Sequence, residues 1–387
     1  MIYFDNAATT YPKPRAVYDA VLRAMTDAGG NPGRSAHRLS MTAADIIYEC
    51  RCELADFFGC SVPENVVFTY NATYALNIAI KGLVSRGSHV LISSFEHNSV
   101  LRPVAALAAR NVTYNVFDAS GSTVQIINNI KSLVKRNTTA IICTHVSNVC
   151  GLELPIAEIG EYCASRHINF IVDAAQSAGV RPIDMRAYNI DALCIPGHKS
   201  LYGIAGCGAV IFHEKYKENY MPFAPIIEGG SGVDSLNIEM PSLLPERFEA
   251  GTLCVPAIAA LLAGTREVRR IGPAKIAEHE LKLKTKLCEL LGEMPEVELY
   301  LPDGEEEGRP GTGVVAFNVK GKPSSDIADA LAKRGICVRS GFHCAPLAHK
   351  TLGTGQDGAV RVSFSMYNSE NEVRAFAAAL REIISQP

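Results

Sequence analysis

Residues 139–179 read TAIICTHVSNVCGLELPIAEIGEYCASRHINFIVDAAQSAG. The stretch opens on a β-rich apolar run, TAIICTHV (139–146). It passes through a helical pattern near Ala157–Ser165 and returns to a second apolar run, INFIVDAA (168–175). Strand, helix and strand at this spacing make a βαβ unit, which sets two parallel strands in one sheet. The runs are apolar throughout rather than alternating, as strands buried on both faces are.

The same alternation extends outward in both directions. Upstream, VVFTY (66–70) precedes the helical ATYALNIAIKGLV, HVLISSF (89–95) precedes VLRPVAALAA, and TYNVFDA gives way to VQIINNIKSLVK. Downstream, ALCIP and GCGAVIF close the series near Phe212. The expectation is an α/β fold with a mostly parallel sheet. After about Val255 the texture changes. Helical stretches at 256–270 and 274–292 lead to EVELYL and the polar loop DGEEEGRPGTG (303–313). GVVAFNV, a helix near Ser324–Arg334, GICVRS, AVRVSF and a helix near Glu370–Ile384 follow. That order suits a smaller α+β domain. The expected division is 1–15 as an N-terminal segment packing with the small domain, 16–255 as the large domain and 256–387 as the small one. Acidic residues 305–307 read as a solvated surface excursion.

Composition narrows the function. The 387 residues are 48% hydrophobic and 20% charged, a globular balance, and the formal net charge of -3 comes with no basic block. Nucleic acid and anionic membrane are therefore not expected partners. MIYFDNAATTYPKP has neither a basic leader nor an apolar core, and no run approaches a membrane span, so the expected location is cytoplasmic. The 12 cysteines contain no CxxC pair, so neither a metal site nor a disulfide framework is expected.

Several residues stand where chemistry can happen. Asp173 ends the strand INFIVD, and parallel sheets bind ligands beyond the carboxyl ends of their strands. A buried carboxylate needs a partner; the protonated ring nitrogen of pyridoxal phosphate (PLP) is a good one, and capping a helix is the simpler alternative. Lys199, in DALCIPGHKSLYG, follows another apolar strand, where partial desolvation favours Schiff-base chemistry. The ordered pair Asp173 and Lys199 is far more specific than either residue. His97 follows HVLISSF, where an imidazole can stack on a ring and relay protons. Thr73 sits at a helix start, where a phosphate can bind. Cys344, in RSGFHCAP (339–346), lies five residues from Arg339, and nearby positive charge favours a thiolate nucleophile. Arg361 in AVRVSF can pair with a carboxylate.

Taken in order, YFDNAATT, NPGRSAH, ATYALN, FEHNS, THVSNVCG, VDAAQSAG, PGHKSLYG, RFEAGT, RSGFHCAP and VRVSFSMYN resemble the cysteine desulfurase / selenocysteine lyase family. These are class V aminotransferases of the aspartate aminotransferase-like, fold type I architecture. The R-x-G-x-H-C-A pattern is similar to that of the group II, SufS-like enzymes. The resemblance implies that Lys199 carries PLP, Asp173 pairs with its ring nitrogen, Gln176 bonds its ring oxygen and His97 stacks on the ring. It places Ala72, Thr73 and His198 at the phosphate, and Thr252 at the phosphate of the partner in a homodimer. Asn148, Arg361 and Arg339 fall to the substrate, L-cysteine or L-selenocysteine, and Cys344 becomes the sulfur-accepting nucleophile. An acceptor protein then receives the sulfur or selenium.

Two positions depart from the family pattern. Gly-Thr-Thr is replaced by Asn71-Ala72-Thr73, and the Ser that often precedes Gly-His-Lys is Pro196. Both changes remove a hydroxyl from the phosphate site, leaving backbone N–H donors to serve it. Three alternatives remain beside cysteine desulfuration: selenocysteine lyase, another PLP-dependent lyase or aminotransferase, and a non-enzymatic scaffold. The loop thiol argues against the second, and the Asp173–Lys199 pair against the third.

Overall fold

The computed structural model describes residues 1–33, 35–216, 224–301, 309 and 311–385. The acidic stretch 305–307 and Arg34 of NPGRSAH lie outside them. The strands are β1 (Ile2–Tyr3), β2 (Val66–Thr69), β3 (His89–Ser93), β4 (Thr113–Phe117), β5 (Thr138–Thr144), β6 (Asn169–Asp173), β7 (Ala192–Pro196), β8 (Gly208–Phe212), β9 (Val297–Leu299), β10 (Val314–Val319), β11 (Ile336–Cys337) and β12 (Val360–Ser363). The helices are α1 (Arg15–Asp27), α2 (Arg38–Phe57), α3 (Ala72–Leu83), α4 (Asn98–Ala106), α5 (Thr123–Leu133), α6 (Ile156–Arg166), α7 (Val255–Ile271), α8 (Pro273–Gly292), α9 (Ser324–Ala332), α10 (Pro346–Leu352) and α11 (Glu370–Ser385).

Seven strands form the large sheet in the order β2-β8-β7-β6-β5-β3-β4. β4, β3, β5, β6 and β7 run parallel, while β8 is antiparallel to both its neighbours. No crossover helix separates Pro196 from Gly208, and a connection without one joins antiparallel strands. The central strands are buried along their length, with Leu91, Ile141, Val172 and Leu193 on one face and Val90, Ile142, Ile171 and Ala192 on the other. β4 differs from the apolar expectation: it is the edge strand, and Tyr114 and Val116 are exposed. β4 lies on one side of β3 and β5 on the other, so the chain diverges after β3. That divergence opens a crevice at the carboxyl ends of β3 and β5.

A second, antiparallel sheet has the order β12-β10-β9 and is covered by α8, α9 and α11. β1 pairs in parallel with β11, and Asp5 bridges to Ser363 on β12. Residues at the start of the chain thus join the smaller sheet, through Phe4 packed on Phe364 and Phe376. α7 packs against α1 and α2, and Ile258, Leu261 and Leu262 belong to the core of the large sheet. By packing, α7 therefore belongs with the large layer although it follows residue 255.

Seven cysteines are buried, three are half-buried, and only Cys254 and Cys344 are exposed; all twelve are free thiols. Among the described residues no helix is long and apolar enough to cross a membrane, and no group of His, Cys, Asp and Glu is arranged to hold a metal ion.

Candidate active site

The crevice holds a cleft at these strand ends. Its lining includes Ala72, Thr73, His97, Asn148, Asp173, Gln176, His198 and Lys199. Eight of the residues singled out in the sequence are therefore brought together from five separate segments.

Asp173 is the last residue of β6 and is buried. No helix follows it; its Oδ1 instead accepts the Ala175 N–H (2.9 Å), closing a turn. Burial pushes its pKa up, while the Ala175 N–H and Lys199 pull it down. Lys199 follows β7 in a turn walled by glycines. A Cβ on Gly179 (φ +99) would lie 2.3 Å from the Ser200 carbonyl, and one on Gly264 would lie 2.1 Å from the Leu201 carbonyl. Only residues without a Cβ let the lysine turn sit this close to its neighbours. Burial lowers the Lys199 pKa to about 8, and Asp173 opposes the shift.

The start of the chain straps this turn down. The His198 carbonyl accepts from the Thr10 N–H (3.2 Å), the Thr9 hydroxyl (3.1 Å) and Lys13 Nζ (2.7 Å), and the Lys199 carbonyl accepts from the Thr10 hydroxyl (2.9 Å). Lys13 is itself brought to about 8 by burial. His198 falls to about 4 through burial and then the Lys199 and Lys13 charges, and its Nδ1 is buried without a partner.

His97 caps α4, and its Nδ1 accepts the Ser99 N–H (3.0 Å). That nitrogen carries no proton, so the Ser99 hydroxyl 2.9 Å away donates to it. Ser99 Oγ in turn accepts from Thr73 Oγ1 at 2.7 Å. The chain of bonds leaves His97 with its proton on Nε2, and burial, with Lys199 and Arg339, lowers its pKa to about 4. Asn71 caps α3 through the Tyr74 N–H (3.0 Å), leaving the first N–H groups of that helix beside Ala72 and Thr73 at the cleft. Glu96, next to His97, is buried; its Oε1 accepts from the Ser93 hydroxyl and the Thr144 N–H (2.7 Å), and burial raises its pKa to about 8.

Arg361 is 1% exposed. It donates to Asp5 Oδ1 (2.7 Å) and to the Asn148 carbonyl (3.0 Å), while its Nε has no partner. Asn148 Nδ2 donates to the His343 carbonyl (2.8 Å), and the Asn98 N–H to the Cys344 carbonyl (2.7 Å). The thiol loop is thus pinned to the cleft on both sides, with Cys344 exposed. Arg339 is exposed and meets Arg361 through backbone bonds only.

Gln176 Nε2 donates to the Ala7 carbonyl (3.0 Å), so its amide nitrogen is engaged by the chain start. Thr252 is exposed and does not line this cleft. It borders another depression with Tyr70, Tyr74 and Phe248. The RFEAGT segment that carries it is anchored by Glu249, which accepts from Arg51 Nη1 (2.9 Å) and the Phe68 N–H (2.6 Å) in the interior.

Sequence reading missed Ser99, Glu96 and Lys13. The first two flank His97 in FEHNSV, so their position beside a strand end was the available signal; Lys13 carried none.

The aminotransferase class-V family model matches residues 2–376. A probable cysteine desulfurase of Methanothermobacter thermautotrophicus is 32% identical over 99% of this chain and 94% of its own length. One of Pyrococcus abyssi is 33% identical, again over 99% and 94%. Among solved structures, the apo cysteine desulfurase of Thermococcus onnurineus NA1 has a TM-score of 0.89 at 34% identity, covering 99% of this chain and 94% of that one. The Escherichia coli cysteine desulfurase CsdA, at 24% identity and a TM-score of 0.86 over 98% and 94% of the two chains, shares the fold.

Proposed function

This chain belongs to the aminotransferase class-V family and to the cysteine desulfurases within it, and we propose that it converts L-cysteine to L-alanine, leaving the sulfur as a persulfide on Cys344. The observation that carries the reading is that Lys199, Asp173 and His97 line one cleft while the Cys344 carbonyl is bonded to the Asn98 N–H at its rim.

The cleft residues fit PLP. The buried, unpartnered His198 Nδ1 and the open N-terminus of α3 at Ala72 and Thr73 suit a phosphate, despite the hydroxyls missing at Ala72 and Pro196. Asp173 suits a protonated ring nitrogen, Gln176 the ring oxygen, and Lys199 the covalent attachment. Bound there, PLP supplies an electron sink for the pair left when the substrate Cα loses a proton.

The chain's own residues divide the remaining work. Arg361, with its free Nε, and Asn148 receive the substrate carboxylate, with Arg339 at the rim. Lys199, brought to about 8, holds enough of its neutral form near neutral pH to take the Cα proton. His97, neutral with Nε2–H free, would stack on the ring of bound PLP and offers a donor to the cleft. The Cys344 thiolate attacks the substrate sulfur; an S–S bond forms, the C–S bond breaks and its electron pair stays on Cβ; a proton added at Cβ and one returned to Cα by Lys199 complete alanine. Thr252 serves the phosphate site of the partner in a homodimer, and an acceptor protein draws sulfur from the exposed Cys344. The named relatives favour cysteine over selenocysteine as substrate.

The test is alanine release from L-cysteine by wild type and Cys344→Ser. Loss of alanine in the variant, with the visible absorption of bound PLP unchanged, supports the nucleophile. Undiminished alanine would refute it.

A further inference from the structure

The Cys344 turn is strained. His343 (φ 48) and Cys344 (φ 56) both occupy the left-handed region, which a Cβ disfavours, and they do so in succession. Such a turn persists only where its surroundings over-determine it. Two backbone anchors are the Asn148 and Asn98 bonds already described. A third lies beneath the turn. The His343 ring is buried and lies nearly coplanar with buried His349, with Nδ1 of the first 3.1 Å from Nε2 of the second. His349 Nδ1 lies 2.8 Å from the hydroxyl of Thr354, also buried. At the other end, His343 Nε2 faces the Arg339 carbonyl at 3.5 Å.

The direction of this chain is fixed by its ends. Burial keeps both rings neutral, lowering His343 to about 2 and His349 to about 4, so each carries one ring proton. A carbonyl only accepts, so His343 holds its proton on Nε2 and its Nδ1 must accept. His349 therefore donates from Nε2, and its Nδ1 accepts the Thr354 hydroxyl. One arrangement satisfies all three contacts; reversing it sets two lone pairs against each other at the Arg339 carbonyl.

We infer that His349 and Thr354 are positioning residues that act on Cys344 through His343: they lock that ring in one orientation and so hold the left-handed turn that presents the thiol. This rests on the reading of Cys344 as nucleophile. His349 and Thr354 come from α10 and the turn after it, so the device is a brace under the loop.

The experiment uses the PLP-loaded enzyme and single-turnover alanine release from L-cysteine. His349→Phe keeps the ring shape and its edge contact with Phe342 (5.4 Å between centroids) but removes the donor. Thr354→Val removes the hydroxyl that His349 Nδ1 accepts and leaves that buried nitrogen unpaired. Each is expected to slow release about 10- to 100-fold, the scale of a displaced reacting group, with KM and PLP absorption unchanged. His349→Gln, which can donate from the same position, and Thr354→Ser are expected to restore most of the rate. Two-bond correlation spectra of 15N-histidine protein should show Nδ1 unprotonated on both rings in wild type, and a protonated His343 Nδ1 would refute the assigned direction. If His349→Phe turns over like wild type, or His349→Gln is no better than Phe, the brace is refuted. A wild type that releases no alanine would refute the desulfurase reading instead, while the spectra would still test the tautomers.

Discussion

Replacing Lys199 with Met should stabilise the cofactor-free protein, and by an amount that depends on pH. Lysine has an ordinary pKa of 10.5, and burial brings Lys199 to about 8 in the fold. The folded state therefore disfavours the charged amine relative to the unfolded chain. Below pH 8 both states are protonated and the fold bears the full penalty. Between 8 and 10.5 the folded amine has shed its proton and the penalty fades; above 10.5 both states are neutral and it is gone. The gap, at about 1.4 kcal/mol per pH unit, is about 3 kcal/mol. Lys199 is partly open to the cleft, so solvent screening leaves about 2–3 kcal/mol. Lys199→Met keeps the unbranched side chain, one atom shorter, and removes the charge. Urea unfolding of both apoproteins at pH 7, 8, 9 and 10 reads the difference: the variant should lead by about 2–3 kcal/mol at pH 7 and converge with wild type as pH rises. A variant no more stable at pH 7, or a gap that does not shrink with pH, would show that the cleft does not desolvate the lysine. The outcome also bears on the proposed function, in which the same cost makes the amine available as a base.

Two further outcomes follow from buried charge. Glu249→Ala leaves the Arg51 guanidinium and the Phe68 N–H without their partner, and should cost about 3–5 kcal/mol in denaturant unfolding; joint replacement of Arg51 and Glu249 by apolar residues should recover most of it, and an additive double variant would refute the pairing. Arg361→Lys keeps the charge but loses the planar fork that spans Asp5 and the Asn148 carbonyl, so KM for L-cysteine should rise about 10-fold or more; an unchanged KM would remove Arg361 from the substrate site.

What could be read from sequence was what local patterning controls. Apolar runs alternating with helical stretches placed β2 to β8, and a polar residue directly after such a run pointed to Asp173, His97 and Lys199. Such patterning is informative there because strand ends of a parallel sheet converge on one edge whatever their separation in the chain. It fails where a contact joins distant segments without a local signature. Lys13 looks like any loop lysine until it meets the His198 carbonyl 185 positions away. His349 reads as a helix residue, and only the turn above it shows what the ring supports. α1 and α2 have no such boundary signal, although they and α7 form one packed layer, because no strand punctuates that part of the chain. β4 breaks the apolar pattern of its neighbours because a strand with one neighbour meets water.

The strap formed by residues 5–13 has a consequence for how the protein is made. Asp5 meets Arg361 across 356 positions, and Thr10 meets Lys199 across 189. These segments leave the ribosome early and must wait for partners synthesised much later, so the loop-closure entropy of nearly the whole chain falls on the last contacts to form. The large sheet can assemble from its own neighbouring units in the meantime, since domains fold as units during synthesis. Thr9, Thr10 and Lys13 can meet the lysine turn as soon as it is made, but the start of the strap is anchored only when Arg361 and β11 arrive with the small sheet.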